Sequence, residues 1–89
     1  MLTEVYLKNS GFKKDDTAPN GVNRWKHYKM CDHHISITFN EEGTETLYGF
    51  IHRNDGLTNA IINKVDFRYE AITVDFFETT LKRLNIKIR

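Results

Sequence analysis

The apolar residues of this chain repeat with two different periods, and the change of period constrains the fold more than any other feature. In the middle of the chain the period is two, as where Ile35, Ile37 and Phe39 alternate with polar residues. Successive side chains of a β-strand point to opposite faces, so this alternation predicts a strand with one buried face. Strand patterns also occur in three further segments: residues 24–31, 46–52 and, less regularly, 57–69, which we expect at an edge.

Both ends of the chain carry helical patterns instead. Near the N-terminus, Leu2, Val5 and Tyr6 have the spacing of one helical face. Thr3 and Glu4 suit the start of this helix, and Gly11 suits the left-handed residue that ends it. Near the C-terminus, Thr73 suits the N-terminal cap of a second helix, and Asn85 suits its C-terminal cap. The apolar stripe of that helix consists of Val74, Phe77, Leu81 and Leu84. We therefore predict an α+β two-layer sandwich, in which an N-terminal and a C-terminal helix flank an antiparallel meander of three to four strands.

The predicted turns agree with this order. Residues 13–23 contain the only proline and almost nothing apolar, so we expect a loop with a turn at residues 19–21. Asn54, Asp55 and Gly56 form a hairpin signal between two strand patterns. Gly49 lies inside a strand pattern, which favours a close approach of a neighbouring strand.

Length and composition predict the number of domains and the cellular compartment. The 89 residues suffice for one domain, residues 1–89, and six Phe, four Tyr and one Trp supply core area. The net charge of +1 excludes a strong general attraction to nucleic acid or membranes. There is one cysteine, no apolar run long enough to span a bilayer, and an acidic residue where a signal peptide needs cations. We expect a cytoplasmic protein without a membrane partner.

Several residue types that zinc prefers lie close together in the sequence: His27, Cys31, His33, His34 and, further on, His52. Structural zinc sites usually close with two spaced pairs of ligands, and this chain has a single cysteine and no second cluster. A turn at residues 31–32 would also separate the side chains. We predict strand histidines and an ordinary thiol, with no metal and no cofactor.

Catalytic machinery is not predicted either. Residues 34–37, His-Ile-Ser-Ile, match half of the motif of two-histidine phosphoesterases, but that chemistry requires two copies. The second strand histidine, His52, is followed by Arg53 and not by the required pattern. Cys31 has Asp32 beside it, which raises the pKa of a thiol and so disfavours a nucleophile. The prediction is a protein without catalytic residues.

Cations and aromatic residues alternate along residues 24–29, which are the main candidates for binding. Such a strand can anchor a protein partner, because Trp, Tyr and Arg dominate interfaces. It can also stack bases and contact phosphates of single-stranded RNA or DNA. Together with the hairpin at residue 54, the predicted partner-binding residues are Arg24, Trp25, Lys26, Tyr28, Lys29, Asn54 and Asp55.

The layout also resembles that of small accessory proteins from phages and mobile elements of AT-rich bacteria. The features that carry the resemblance are a short helix ending in residues 7–13, a strand that bears Trp25, a meander, and a closing helix that begins within residues 72–77. Some proteins of this type are anti-defence inhibitors, including anti-CRISPR proteins, which bind and block a host effector. The resemblance implies a protein partner and assigns no functional residue.

Two functions from different classes follow as hypotheses. The first is a non-enzymatic phage-type accessory protein that binds and inhibits a host protein or ribonucleoprotein complex. The alternative is a single-stranded RNA- or DNA-binding module that uses residues 24–29. A homodimer through strand pairing is a further expectation if the segment 57–69 or the tail from Ile86 leaves an unpaired edge.

Overall fold

One antiparallel sheet and two helices make up the described part of the chain. The computed structural model describes residues 1–29, 33–54, 61–68 and 72–86. The elements in chain order are α1 (Glu4–Asn9), β1 (Lys13–Lys14), β2 (Val22–Lys29), β3 (His33–Asn40), β4 (Thr46–Asn54), β5 (Ile61–Arg68) and α2 (Val74–Arg83). The predicted α+β fold, an antiparallel meander of three to four strands flanked by an N-terminal and a C-terminal helix, is confirmed, with β2–β5 as the meander. The two-residue strand β1 is an additional, fifth member of the sheet.

The sheet has the order β1-β2-β3-β4-β5, so each strand pairs with its neighbours in sequence. The segment predicted as a loop begins with the short strand β1, whose Lys13 and Lys14 pair with Lys26 and Trp25. Two residues are too few to show a period, so only pairing with β2 reveals this strand. β5 forms the opposite edge, as expected, and pairs with β4 over residues 61–68.

The apolar residues of the alternating strands form the core on one side of the sheet, which we call the helix face. Ile35, Ile37 and Phe39 are fully buried there, as their alternation predicts. They belong to one cluster with residues of both helices, among them Leu7 of α1 and Phe77 of α2. Both helices therefore pack on the same side of the sheet.

Helix α1 begins and ends as predicted, but the side of the helix that is buried differs from the predicted one. Thr3 caps the helix by accepting a hydrogen bond from the backbone N–H of Tyr6, and Gly11 has a φ of 93°. Val5, expected in the apolar stripe, is 68% exposed, and Leu7 is buried instead. Because the helix begins at Glu4, Leu2 lies outside it and enters the core from the segment before the helix.

The second helix follows its prediction closely. Thr73 caps α2 by accepting a hydrogen bond from the N–H of Phe76, while Asn85 takes the left-handed conformation just after the helix, with a φ of 59°. Phe77 and Leu81 are buried, whereas Phe76 is 54% exposed. No helix within the described residues has the length and apolar character needed to cross a bilayer.

Gly49 brings β3 and β4 together without an intervening side chain. A Cβ atom at this position would lie 2.6 Å from Cδ1 of Ile37 and 2.9 Å from the carbonyl oxygen of Ser36. The close strand approach expected at Gly49 is therefore present, and Ile37 occupies the space on the helix face that a side chain would need.

Candidate binding surface

The side of the sheet opposite the helices carries the alternate residues of the same strands, and we call it the open face. Both helices pack on the helix face, so no helix of the described part of the chain covers this side. The described members of the open face include Arg24, Lys26, His34, Ser36, Thr38, Tyr48, Phe50 and His52, together with Asp66 of β5, which pairs with Phe50.

The strand register arranges these residues in rows across the sheet. One row joins Arg24, Thr38 and Tyr48. The next joins Lys26, Ser36 and Phe50, and in the third His34 pairs with His52. The open face thus has a cationic column on β2, a column of small hydroxyls with a histidine on β3, and an aromatic column on β4.

Arg24 fixes the first row by hydrogen bonds across three strands. Its Nε donates to Oγ1 of Thr38 at 3.3 Å, and its Nη2 donates to the hydroxyl of Tyr48 at 3.1 Å. The hydrogen bond with Thr38 and, next, the bond and charge of Arg24 lower the pKa of Tyr48. Thr38 is fully buried beneath this bridge, while Tyr48 remains 38% exposed. The row therefore holds its aromatic side chain in a fixed position at the surface.

The other two rows share an aromatic cluster. The rings of Phe50 and His52 stack with centroids 4.2 Å apart, and the His34 ring meets Phe50 edge-on at 5.2 Å. Burial lowers the pKa of His34, and the positive charge of Lys26 and the neighbouring His52 act in the same direction. The surroundings of His34 therefore favour its uncharged form.

Ser36 lies at the floor of the open face, between Lys26 and Phe50 in the register. It is fully buried, and its Oγ has no hydrogen-bond partner among the described residues. A buried hydroxyl without a partner costs about 1–3 kcal/mol. Stability alone does not favour serine at this position.

Asp15 supplies a negative charge at the β1 edge of the open face. A carboxylate oxygen lies 3.2 Å from Nζ of Lys26 and 3.7 Å from a guanidinium nitrogen of Arg24. The hydroxyl and the backbone N–H of Thr17 both donate to this carboxylate, at 2.6 and 3.0 Å. These bonds, followed by the contribution of Lys26, lower the pKa of Asp15 to about 2. Asp15 therefore stays ionised and offsets part of the cationic column.

The structure divides the residues predicted to bind a partner between two sides of the sheet. Arg24 and Lys26 lie together on the open face. Trp25 is buried on the helix face, where its indole N–H donates to a carboxylate oxygen of Glu4. Tyr28 and Lys29 end β2 and Asn54 ends β4, and for these three the description stops at the backbone. Asp55 lies outside the described residues.

Sequence reasoning did not single out Tyr48, Phe50 and His52 as members of a surface. The segment 46–52 is apolar at both parities, and this pattern predicts a strand that is central in its sheet. The sequence does contain one signal of an aromatic surface. The aromatic residues of this segment alternate with Leu47, Gly49 and Ile51, so all its aromatic rings lie on one side of the strand.

The histidines considered for a zinc site whose side chains are described lie on both sides of the sheet. His27 is on the helix face, with its ring 5.1 Å from that of Phe12, whereas His34 and His52 are on the open face. The described part of the chain contains no group of three potential metal ligands. Cys31 lies outside the described residues, and His33 is described only in its backbone.

Comparison with known proteins gives no family to which the chain can be assigned. No family model, no curated protein and no solved structure matches it.

Proposed function

We propose that this chain is a non-enzymatic accessory protein of the phage type, which binds a host protein complex through the open face and inhibits it. One observation carries the proposal: both helices pack on one side of the sheet, so that arginine and aromatic side chains stand on the other. Arginine and aromatic residues are the usual anchors of protein interfaces, where they fill well-packed and desolvated pockets.

The arrangement of these anchors suits docking by a preformed surface. Arg24 and Tyr48 hold each other across Thr38, and the stacked rings of Phe50 and His52 lie beside them. Side chains that are already ordered lose little conformational entropy when a partner binds. The resemblance to phage accessory proteins supports inhibition as the consequence of binding, since such proteins act by occupying a host effector.

A site-specific crosslinking experiment tests the proposal. The photoreactive residue benzoylphenylalanine replaces Phe50 in one variant and Phe76, an exposed phenylalanine on α2, in the control. We expect a bacterial host to yield one protein crosslinked from position 50 and not from position 76. The purified partner must then bind at one-to-one stoichiometry and lose activity.

Alanine variants complete the test. Phe50→Ala should weaken binding of the purified partner by about tenfold or more, as expected for an interface anchor, while Phe76→Ala leaves it unchanged. Equal crosslinking from both positions, or equal affinity of the two alanine variants, would contradict docking on the open face.

Single-stranded nucleic acid is the second candidate ligand, and the stacked rings of Phe50 and His52 beside Lys26 favour it. Asp15 weighs against it, because this carboxylate partly neutralises Arg24 and Lys26 and repels phosphate. An oligonucleotide titration followed by amide chemical shifts separates the two candidates. A nucleic-acid ligand must shift Tyr48, Phe50 and His52, and its affinity must fall with salt. Trp25 fluorescence is a poor reporter here, since the indole lies on the helix face.

The expected homodimer stays a prediction. β5 is an edge strand of the sheet, and an edge strand presents backbone groups that a second copy can pair with. Light scattering of the purified chain measures the oligomeric state directly.

A further inference from the structure

The loop between β1 and β2 contains the dipeptide Asn20–Gly21, and no other asparagine of the sequence precedes a glycine. Asparagine is among the chemically labile residues of proteins. Its side-chain amide can be attacked by the backbone nitrogen of the residue that follows it. A glycine at the following position favours this attack, because it has no Cβ atom to hinder the approach and its backbone is the least restricted.

The structure leaves both reacting groups of this dipeptide unrestrained. Asn20 and Gly21 are exposed, and Gly21 has a φ of 88°. Within the described part of the chain, neither the side-chain amide of Asn20 nor the backbone N–H of Gly21 has a hydrogen-bond partner. A Cβ atom at Gly21 would meet nothing within 4 Å, so neighbouring atoms do not crowd the turn.

Four other asparagines have described side chains, and in two of them the attacking nitrogen is held. Asn9 is followed by Ser10, whose backbone N–H donates to two carbonyl oxygens of α1 at 3.0 and 3.1 Å. Asn85 is followed by Ile86, whose backbone N–H donates to a carbonyl oxygen of α2 at 2.9 Å. Attack by either nitrogen therefore requires the end of a helix to open first.

In the other two asparagines the side-chain amide is held. Oδ1 of Asn40 accepts hydrogen bonds from the backbone N–H groups of Thr44 and Glu45, at 2.8 and 3.2 Å. Nδ2 of Asn23 donates to the carbonyl oxygens of Asn40 and Glu41, at 3.4 and 2.8 Å. These amides cannot turn toward the next backbone nitrogen without losing their bonds. Of the asparagines with described side chains, Asn20 alone has both groups free.

We propose that Asn20 is a site of spontaneous deamidation, at which the folded chain converts a neutral amide into a carboxylate. The backbone nitrogen of Gly21 loses its proton and bonds to Cγ of Asn20. The bond between Cγ and Nδ2 then breaks, Nδ2 leaves as ammonia, and a cyclic succinimide remains. Water adds to one of the two ring carbonyls and opens the ring. The product is aspartate or, where the backbone now runs through Cγ, isoaspartate, and no oxidant or reductant takes part.

Either product changes the charge of the chain. The sequence has 13 basic and 12 acidic side chains, so one further carboxylate equalises the two numbers and lowers the net charge from +1 to zero. A net charge near zero promotes association and precipitation. The new carboxylate also lies just before Val22, which pairs with Asn40, the residue that precedes Glu41. We therefore expect the modified chain to be less soluble at neutral pH and to gain a like-charge neighbour at this end of β2.

Incubation of the purified full chain at neutral pH, followed by peptide mapping with mass spectrometry, tests the proposal. The acid should accumulate at position 20 several times faster than at Asn9 or Asn40. Part of it should be labelled by isoaspartate methyltransferase, which methylates isoaspartate and not ordinary aspartate. The rate should fall at mildly acidic pH, because the reaction begins with loss of the amide proton of Gly21.

Two variants serve as matched controls. Asn20→Gln keeps an exposed amide but would have to close a larger ring, so the conversion should stop. Gly21→Ala should slow it several times, because the methyl group hinders the attack while the open surroundings of the turn accommodate it. After equal incubation, the unsubstituted chain should have a lower isoelectric point than Asn20→Gln and should scatter more light at neutral pH.

Unfolding in urea separates the effect of the structure from that of the sequence. Urea removes the hydrogen bonds at Ser10 and Asn40, so conversion of Asn9 and Asn40 should accelerate far more than conversion of Asn20. Equal rates at Asn9 and Asn20 in the folded chain, or an unchanged rate in Gly21→Ala, would overturn the proposal. A converted chain that stays as soluble as Asn20→Gln would contradict the effect assigned to the lost net charge.

Discussion

The indole N–H of Trp25 donates a hydrogen bond of 2.6 Å to a carboxylate oxygen of Glu4, and this bond joins β2 to the first turn of α1. The second carboxylate oxygen of Glu4 occupies the position that a Cβ atom at Gly43 would need. One side chain therefore connects a helix, a strand and the turn between β3 and β4.

We expect Glu4→Ala to lower the free energy of unfolding by about 1–3 kcal/mol, because it leaves the buried indole N–H without its acceptor. In a Trp25→Phe background the same substitution should cost clearly less, since no N–H remains to be satisfied. Urea unfolding of the four proteins of this double-mutant cycle gives the coupling energy. Strictly additive effects would show that the hydrogen bond contributes nothing.

Gly43→Ala and Gly21→Ala form a matched pair, because both glycines have positive φ, 72° and 88°. At Gly21 nothing lies within 4 Å of a new Cβ, so only the backbone cost of about 1–2 kcal/mol is expected. At Gly43 the new Cβ would displace Glu4, and the loss of stability should be larger. Thermal unfolding of both variants measures the difference, which should shrink when Glu4 is alanine.

Gly49→Ala should destabilise the chain by about 1–3 kcal/mol, since the new methyl group overlaps Cδ1 of Ile37. Ile37→Val removes that methyl carbon and should restore part of the loss when the two changes are combined. The carbonyl of Ser36 remains 2.9 Å from the new Cβ, so recovery is incomplete. If the double variant is no more stable than Gly49→Ala by chemical denaturation, the overlap is relieved in another way.

Ser36→Ala should leave the free energy of unfolding unchanged or raise it, because the buried hydroxyl has no partner in the described part of the chain. Thr38→Val is the control: it removes the acceptor for Nε of Arg24 and should cost about 1 kcal/mol. Calorimetry compares the two. A loss of more than about 1 kcal/mol in Ser36→Ala would mean that the hydroxyl is hydrogen-bonded after all.

His34 should make stability depend on pH. Burial lowers its pKa in the folded chain below the ordinary value of 6.5, whereas the unfolded chain keeps that value. Between the two values the unfolded state binds more protons, so stability is complete above pH 6.5 and is lost as the pH falls toward the lowered pKa. Urea unfolding at about pH 7.5 and about pH 5 measures this effect.

His34→Gln is the control for that experiment, and in it the decrease should be smaller. Asp15 does not contribute to the change in stability between these two pH values. Its pKa is lowered from 3.8 to about 2, so it affects stability only at lower pH. An unchanged pH dependence in His34→Gln would assign the effect to other groups.

Local signals predicted the ends of the elements well. Thr3, Thr73 and Asn85 cap or end helices because their side chains and backbone preferences act within a few residues. The alternation at Ile35, Ile37 and Phe39 likewise needs only the neighbouring residues, and the structure buries all three.

Relationships between elements were harder to predict. No local sequence pattern predicts β1, because this two-residue strand is defined only by its pairing with β2. The pairing of His34 with His52 depends on the length of the turn after β3 and on the register shift at Thr38 and Phe39. The open face could be expected from alternation, but its rows depend on a register that spans three strands.

The alternation of the strands also separates positions whose substitution affects folding from positions whose substitution affects only the open face. Substitutions at Ile35, Ile37 or Ile51 alter folding, whereas their neighbours Tyr48, Phe50 and His52 can change with little effect on the core. Such a sheet can acquire a new target by replacing every second residue of a strand. Lineages that compete with a rapidly evolving partner would be expected to keep one set of positions and diversify the other.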